Sequence, residues 1–188
     1  MVGFYEKEIN GIDYSIKQFE KGEYEFCVFS NCNFNKADLT ESKFIDCSFS
    51  DCNFSEVNIA GTAFQDARFI DCKLMGIGFE NCNDFGFEVE FTDCILNYAS
   101  FHKMRLIKTE FKNSKLIDVD FSESNLSGAV FSNCDLGNAL FDKTNLMNSN
   151  FTTAFNYTID PENNKIKNAK FSLPEVTGLL NKYSIKIV

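Results

Sequence analysis

An apolar residue recurs at every fifth position through most of this chain, and few folds can accommodate such a period. From Tyr24 the series runs Phe29, Phe34, Leu39, Phe44, Phe49, Phe54, Ile59, Phe64, Phe69, Leu74 and Phe79. A second series runs from Phe91 through Leu96, Phe101, Leu106, Phe111, Leu116, Phe121, Leu126, Phe131, Leu136, Phe141 and Leu146 to Phe151. All 25 positions are apolar in a sequence that is 44% hydrophobic, which chance would produce about once in a billion trials. Five residues advance an α-helix by about 500°, so the series would drift around its axis. Five steps along a strand put successive members on opposite faces. The period keeps its side chains together only if the backbone turns a corner within every unit, so the chain must wind.

The position two before each apolar centre supports an interior. It holds Cys27, Cys32, Ala37, Ser42, Cys47, Cys52, Val57, Thr62, Ala67 and Cys72 in the first series, and residues such as Cys94, Ala99, Val119 and Cys134 in the second. One large and one small inward residue per unit fill a narrow core without overpacking it. Eighteen of the 22 Phe lie on the five-residue register, which makes them a spine rather than a ligand-binding surface. Seven of the eight Cys sit in the small inward slot and Cys82 would continue the first series. No CxxC pair exists, and the lone His102 follows a centre and faces outward. Stacked neighbours would lie about 4.8 Å apart with parallel Cα–Cβ bonds, whereas a disulfide needs Cβ atoms near about 3.8 Å. The cysteines are therefore expected to be buried small hydrophobes with no metal or disulfide role, as suits a reducing compartment.

Units such as Ala37-Asp38-Leu39-Thr40-Glu41 and Cys52-Asn53-Phe54-Ser55-Glu56 resemble the pentapeptide-repeat family, whose signature is Ala/Cys, Asp/Asn, Leu/Phe and two polar residues. The resemblance covers about residues 24–151. It implies an all-β fold, a right-handed quadrilateral parallel β-helix with one unit per side and four units per coil. The spacing agrees: Cys32, Cys52 and Cys72 lie 20 apart, and the second series splits into all-Phe and all-Leu columns at that interval. The 25 units would make about six coils before the ends are counted.

Three segments are expected. Residues 1–23 keep the phase weakly through Phe4, Ile9, Tyr14 and Phe19 and read as a degenerate capping coil. Residues 24–156 form the solenoid, with a register break near 80–90, because Phe79 and Phe91 are 12 apart and Asp84 falls where a centre belongs. Either a small bulge or a functional protrusion fits there. Residues 157–188 supply a turn, a short α-helix over about 173–183 and a tail; Ser172 and Glu175 read as a capping box around Pro174. Leu173, Val176, Leu179, Leu180 and Tyr183 would share one helix face. With Ile185 and Ile187, that face is expected to cover the last coil or to pair with a second subunit. The resemblance implies a homodimer through this segment.

Charge bounds the function. The formal net charge is −9, which argues against direct binding to nucleic acid. Neither a run of 18 apolar residues nor a basic-then-apolar start is present, so a cytoplasmic location without membrane insertion is expected. Residues 1–101 carry 18 acids and 7 bases, whereas Lys103, Arg105, Lys108, Lys112 and Lys115 form a basic cluster. Glu41, Asp46, Asp51, Glu56, Asp66 and Asp71 occupy the second outward slot, stacking Asp46 under Asp66 and Asp51 under Asp71. Turn chemistry at corners or an electrostatic surface for a basic partner would each explain them. No phosphate loop or catalytic constellation is present, so neither an enzyme nor a cofactor is expected. The sequence is similar to the quinolone-resistance (Qnr-like and MfpA-like) branch of the family. That resemblance implies an acidic DNA mimic binding DNA gyrase or topoisomerase IV through the six acids. The long loops of that branch are absent here, and the basic cluster interrupts the negative field. An interaction scaffold with an unknown partner is the alternative.

Overall fold

A computed structural model describes residues 2–186. The strands are short because each ends at a corner: β1 (Val2–Tyr5), β2 (Glu8–Asn10), β3 (Gly22–Glu25), β4 (Val28–Ser30), β5 (Lys43–Ile45), β6 (Ser48–Ser50), β7 (Ala63–Gln65) and β8 (Ala67–Ile70). They continue as β9 (Val89–Thr92), β10 (Glu110–Lys112), β11 (Val130–Ser132), β12 (Asn150–Phe151) and β13 (Lys170–Phe171). All pair in parallel. One sheet has the order β1-β3-β5-β7, and the other runs β13-β12-β11-β10-β9-β8-β6-β4-β2. Single bridges form further columns, such as Asn33 to Asn53 to Lys73 and Ser100 to Asp120 to Leu140. The protein is thus an all-β parallel solenoid, and nine strands in one ladder correspond to about eight turns.

A positive φ recurs at five-residue intervals through most of the coils and makes the winding. Asn31, Lys36, Glu41, Asp46, Asp51 and Glu56 have φ values of 53°, 58°, 61°, 51°, 53° and 58°. Each follows an apolar centre by two, in the slot that the sequence fills with Asp, Asn, Gly, Glu and Lys. At many corners the centre carbonyl accepts a hydrogen bond from the residue three ahead, as from Ala37 N to Phe34 O (2.9 Å) and Ala129 N to Leu126 O (3.0 Å). With φ positive at its third residue, this is the arrangement of a type II turn. The residue before many centres adds a second device. Asn53 Oδ1 accepts from Ser55 N at 3.1 Å and Asp120 Oδ1 from Ser122 N at 2.8 Å, which are Asx turns.

Inside, the Phe columns stack. Phe111 is fully buried, lies parallel to Phe91 at 5.3 Å and Phe131 at 5.0 Å, and meets Phe101 and Phe121 edge-to-face at 5.9 Å. Both geometries suit the ring quadrupole. The small slot is also a hydrogen-bond donor. Cys47 Sγ donates to Tyr24 O at 3.3 Å, Cys134 Sγ to Phe111 O at 3.3 Å, and Thr62 and Thr144 Oγ1 to Leu39 and Phe121 O at 2.8 and 2.9 Å. Each acceptor is a centre carbonyl of the preceding coil, so a thiol or hydroxyl there gives that carbonyl a side-chain donor that Ala lacks. All eight cysteines are free and only Cys82 is partly exposed. Burial pushes the Cys47 thiol up to about 12 and that of Cys134 up to about 11.

The register break is a two-residue bulge. Ala63 still bridges Asn83 at the regular interval, but Ala67 pairs with Val89 and Phe69 with Phe91, each two positions beyond it. The extra residues fall between 84 and 88. Phe85 is 80% exposed, whereas Phe87 turns inward against Phe79 at 5.9 Å. The core continues undisturbed, with Phe69–Phe91 at 5.4 Å and Phe79–Phe101 at 4.7 Å.

The expected C-terminal α-helix is not formed. Residues 173–183 contain only 3₁₀ turns, Val176–Leu179 and Asn181–Tyr183. Glu175, expected to complete a capping box, instead accepts a bond from Asn156 N at 3.2 Å. The Gly178 carbonyl accepts from Ile159 N at 3.1 Å, so it is diverted from the helix ladder to the last coil. Gly178 lies so close to that coil that a Cβ there would meet Tyr157 O at 2.2 Å. Contact with the coil outweighs a propensity that the glycine already weakens. No helix among the described residues is long and apolar enough to cross a membrane.

Replacing Phe111 by Ala is expected to cost about 3–5 kcal/mol, read by denaturant unfolding. A near-neutral result would contradict an inward stack.

Candidate functional site

All six predicted acids are corner residues with φ between 51° and 61°. The left-handed region suits Asn and Asp better than most non-glycine residues. Turn chemistry therefore accounts for Asp46, Asp51, Asp66 and Asp71, and less well for Glu41 and Glu56.

Their electrostatic states differ. Arg68 Nη2 holds Asp66 at 2.7 Å and its Nε reaches Glu90 at 3.6 Å. Lys36 pairs with Glu56 at 3.7 Å between exposed side chains, a contact worth little in water. Glu41 folds over Gly61, where a Cβ would meet its Oε1 at 2.3 Å. Among the described residues, Asp46, Asp51 and Asp71 form no ion pair. Asp71 N donates to Thr92 O, which places the next corner of that column at Asp93, φ 56°. Asp51, Asp71 and Asp93 thus make a three-rung ladder. Sequence reasoning missed Asp93 because the bulge moves it past the regular interval from Asp71; the shift from Phe69 to Phe91 was the signal.

The predicted C-terminal face is not one surface. Leu173, Tyr183 and Ile185 are exposed, Val176 and Leu180 are half-buried, and Leu179 packs on the core. Ile187 lies outside the described residues. A polar clasp ties the segment down. Lys182 Nζ lies 2.6 Å from both Asp160 Oδ1 and Glu162 Oε2. Tyr183 OH donates to Glu162 Oε1 at 2.7 Å, and Asn181 Nδ2 to Thr158 Oγ1 at 2.9 Å. Hydrogen bonding to Lys182 holds both carboxyls below their ordinary range.

Among the described residues, no three His, Cys, Asp or Glu side chains gather as a metal site. His102 Nδ1 lies 2.9 Å from Ser122 Oγ, which donates to Asp120 Oδ1 at 2.6 Å. The hydroxyl stands between the other two groups, an order unlike that of a hydroxyl–imidazole–carboxylate triad.

A model of the pentapeptide repeat region matches residues 17–83 and 42–121, and one of pentapeptide repeats (8 copies) matches 124–154. The chain belongs to the pentapeptide-repeat family. Two solved structures of QnrB1, described as a plasmid-mediated fluoroquinolone resistance protein, share its fold. One trypsin-treated variant aligns with a TM-score of 0.56 at 18% identity over 100% of both chains. Another trypsin-treated variant gives 0.54 at 17% identity over 100% of this chain and 92% of the other. No curated protein matches the sequence.

Lys182→Met is expected to speed amide exchange over residues 176–186 at neutral pH while the coils stay protected. The depressed carboxyls of Asp160 and Glu162 stabilise the closed clasp above the unfolded carboxylate range, about pH 4. Wild-type protection there should fall as pH drops below that range, through the depressed range of the two carboxyls. Unchanged exchange in the variant would show that packing on Tyr157 suffices.

Proposed function

We propose that this pentapeptide-repeat protein is a non-catalytic binding rod whose acidic half engages a basic protein surface, with DNA gyrase or topoisomerase IV as the partner class. The observation that carries this reading is the density of charge. Residues 1–101 carry a net −11. At about 4.8 Å per coil, five coils span roughly 24 Å, or one net negative charge per about 2.2 Å. Duplex DNA presents one per about 1.7 Å. A groove shaped and charged for a duplex would accept such a rod, and basic groups would steer its approach. Residues 102–188 carry 9 acids and 11 bases, which confines the duplex-like stretch to one end. The shared fold with QnrB1 supports the choice of partner. A homodimer through the exposed Leu173, Tyr183 and Ile185 would double the rod.

An interaction scaffold with a different partner is the second reading. It is favoured by the left-handed corners, which call for Asp and Asn whether or not a partner selects negative charge.

A supercoiling assay with purified gyrase decides between them. Inhibition, or protection from a quinolone, is expected at micromolar concentrations. Reversal of Asp46, Asp51 and Asp71 to Lys should abolish it with circular dichroism unchanged. No effect of the wild type at tens of micromolar would discard the topoisomerase reading, and persistence in the triple variant would show the ladder to be incidental.

A further inference from the structure

We infer that the Tyr5–Phe26 corner is a docking point for an arginine- or lysine-bearing segment of a protein partner. The inference rests on the proposed reading of the acidic half as the face that meets a partner, and it names the chemistry recognised there.

Phe26 is the first observation. It occupies a corner with φ 53°, where a bulky side chain is an outlier. Burial does not repay the strain, since Phe26 is 47% exposed. Tyr98 is the other aromatic corner among the described residues, with φ 62° and 62% exposure. Only Phe26 has an aromatic neighbour: Tyr5, itself 55% exposed, meets it edge-to-face at 5.6 Å and 77°. Val28, 40% exposed, extends the apolar surface onto the adjacent ladder.

Charge is the second, independent observation. Tyr5 is in register with Glu25, and Glu8 with Val28. Glu6 follows Tyr5, and Phe26 N donates to Ile45 O, which places Asp46 at the same corner one coil on. Among the described residues, none of these four carboxylates makes an ion pair. Lys7 is the one cation in the stretch between Glu6 and Glu8. The charge of Glu6, with a smaller contribution from Glu25, raises the Tyr5 hydroxyl above its ordinary value.

Exposed aromatic rings inside a fence of carboxylates suit a cation with an apolar stem. A guanidinium can lie over a ring and reach a carboxylate at once. A neutral apolar ligand would strip water from the fence without pairing it, and an anionic lipid or nucleic acid would be repelled.

The probe is fluorescein-labelled octaarginine, followed by anisotropy with the full chain at physiological salt. Wild-type protein should bind. Phe26→Asn combined with Tyr5→Ser should weaken binding about fivefold or more. Asp51→Lys with Asp71→Lys, at another corner, should weaken it less. Phe26→Asn alone should leave the melting temperature unchanged or raise it, because Asn suits the left-handed corner. No binding by the wild type would overturn the inference, as would equal binding by the aromatic variant. So would a marked fall in the melting temperature of Phe26→Asn, which would make Phe26 a packing residue. Peptide binding that depends on the corner, beside an inert supercoiling assay, would remove the topoisomerase reading and leave the corner in place.

Discussion

The left-handed corner at every fifth residue is the constraint on which the rest depends. It lets each unit turn the backbone through a side of the coil and return its centre to the interior. Because φ is positive at most corners between Glu6 and Asn168, the corners favour Asn, Asp and Gly, and part of the charge follows from geometry. A rod of this kind is inclined to acidity before any partner selects for it. What geometry leaves unexplained is then informative: a bulky ring at Phe26, left-handed and about half exposed.

Two interior devices make the stack tolerant of error. Aromatic columns touch along the rod and across it, so each ring has parallel and perpendicular neighbours. Cysteine thiols and the Thr62 and Thr144 hydroxyls in the small slot reach back one coil to a centre carbonyl, and the offset of that bond tracks the register. It is 23 residues for Cys72 to Phe49 but 25 for Cys94 to Phe69. The two inserted residues are absorbed outside the core, at Phe85 and its neighbours, while the Phe columns on either side continue unbroken.

Much of the fold was legible in the residues themselves. Period five, an inward large-and-small pair, buried free cysteines and a two-residue register break near 80–90 all follow from spacing, since each reflects contacts one coil apart. The C-terminal segment was not. Its apolar spacing over Leu173 to Tyr183 is helical, yet the Gly178 carbonyl and the Glu175 carboxylate are claimed by Ile159 and Asn156, partners in the preceding coil. The candidate site was half legible. The spacing locates the corners, but the pairing of Asp66 with Arg68 depends on side-chain direction, and Asp93 joins its ladder only across the bulge.

Acidity that begins as corner chemistry can be elaborated into a binding surface by leaving some acids unpaired and adding aromatic rings among them. The measurement that bears most directly on this account is the stability of corner variants at Asp51. If the corner dictates the residue, Asp51→Asn and Asp51→Gly should keep the wild-type melting temperature. Asp51→Ala should lose about 1 kcal/mol, because an L residue without a local polar contact pays for the left-handed region. An Ala variant as stable as the wild type, or more stable through relief of like charge with Asp71, would contradict it.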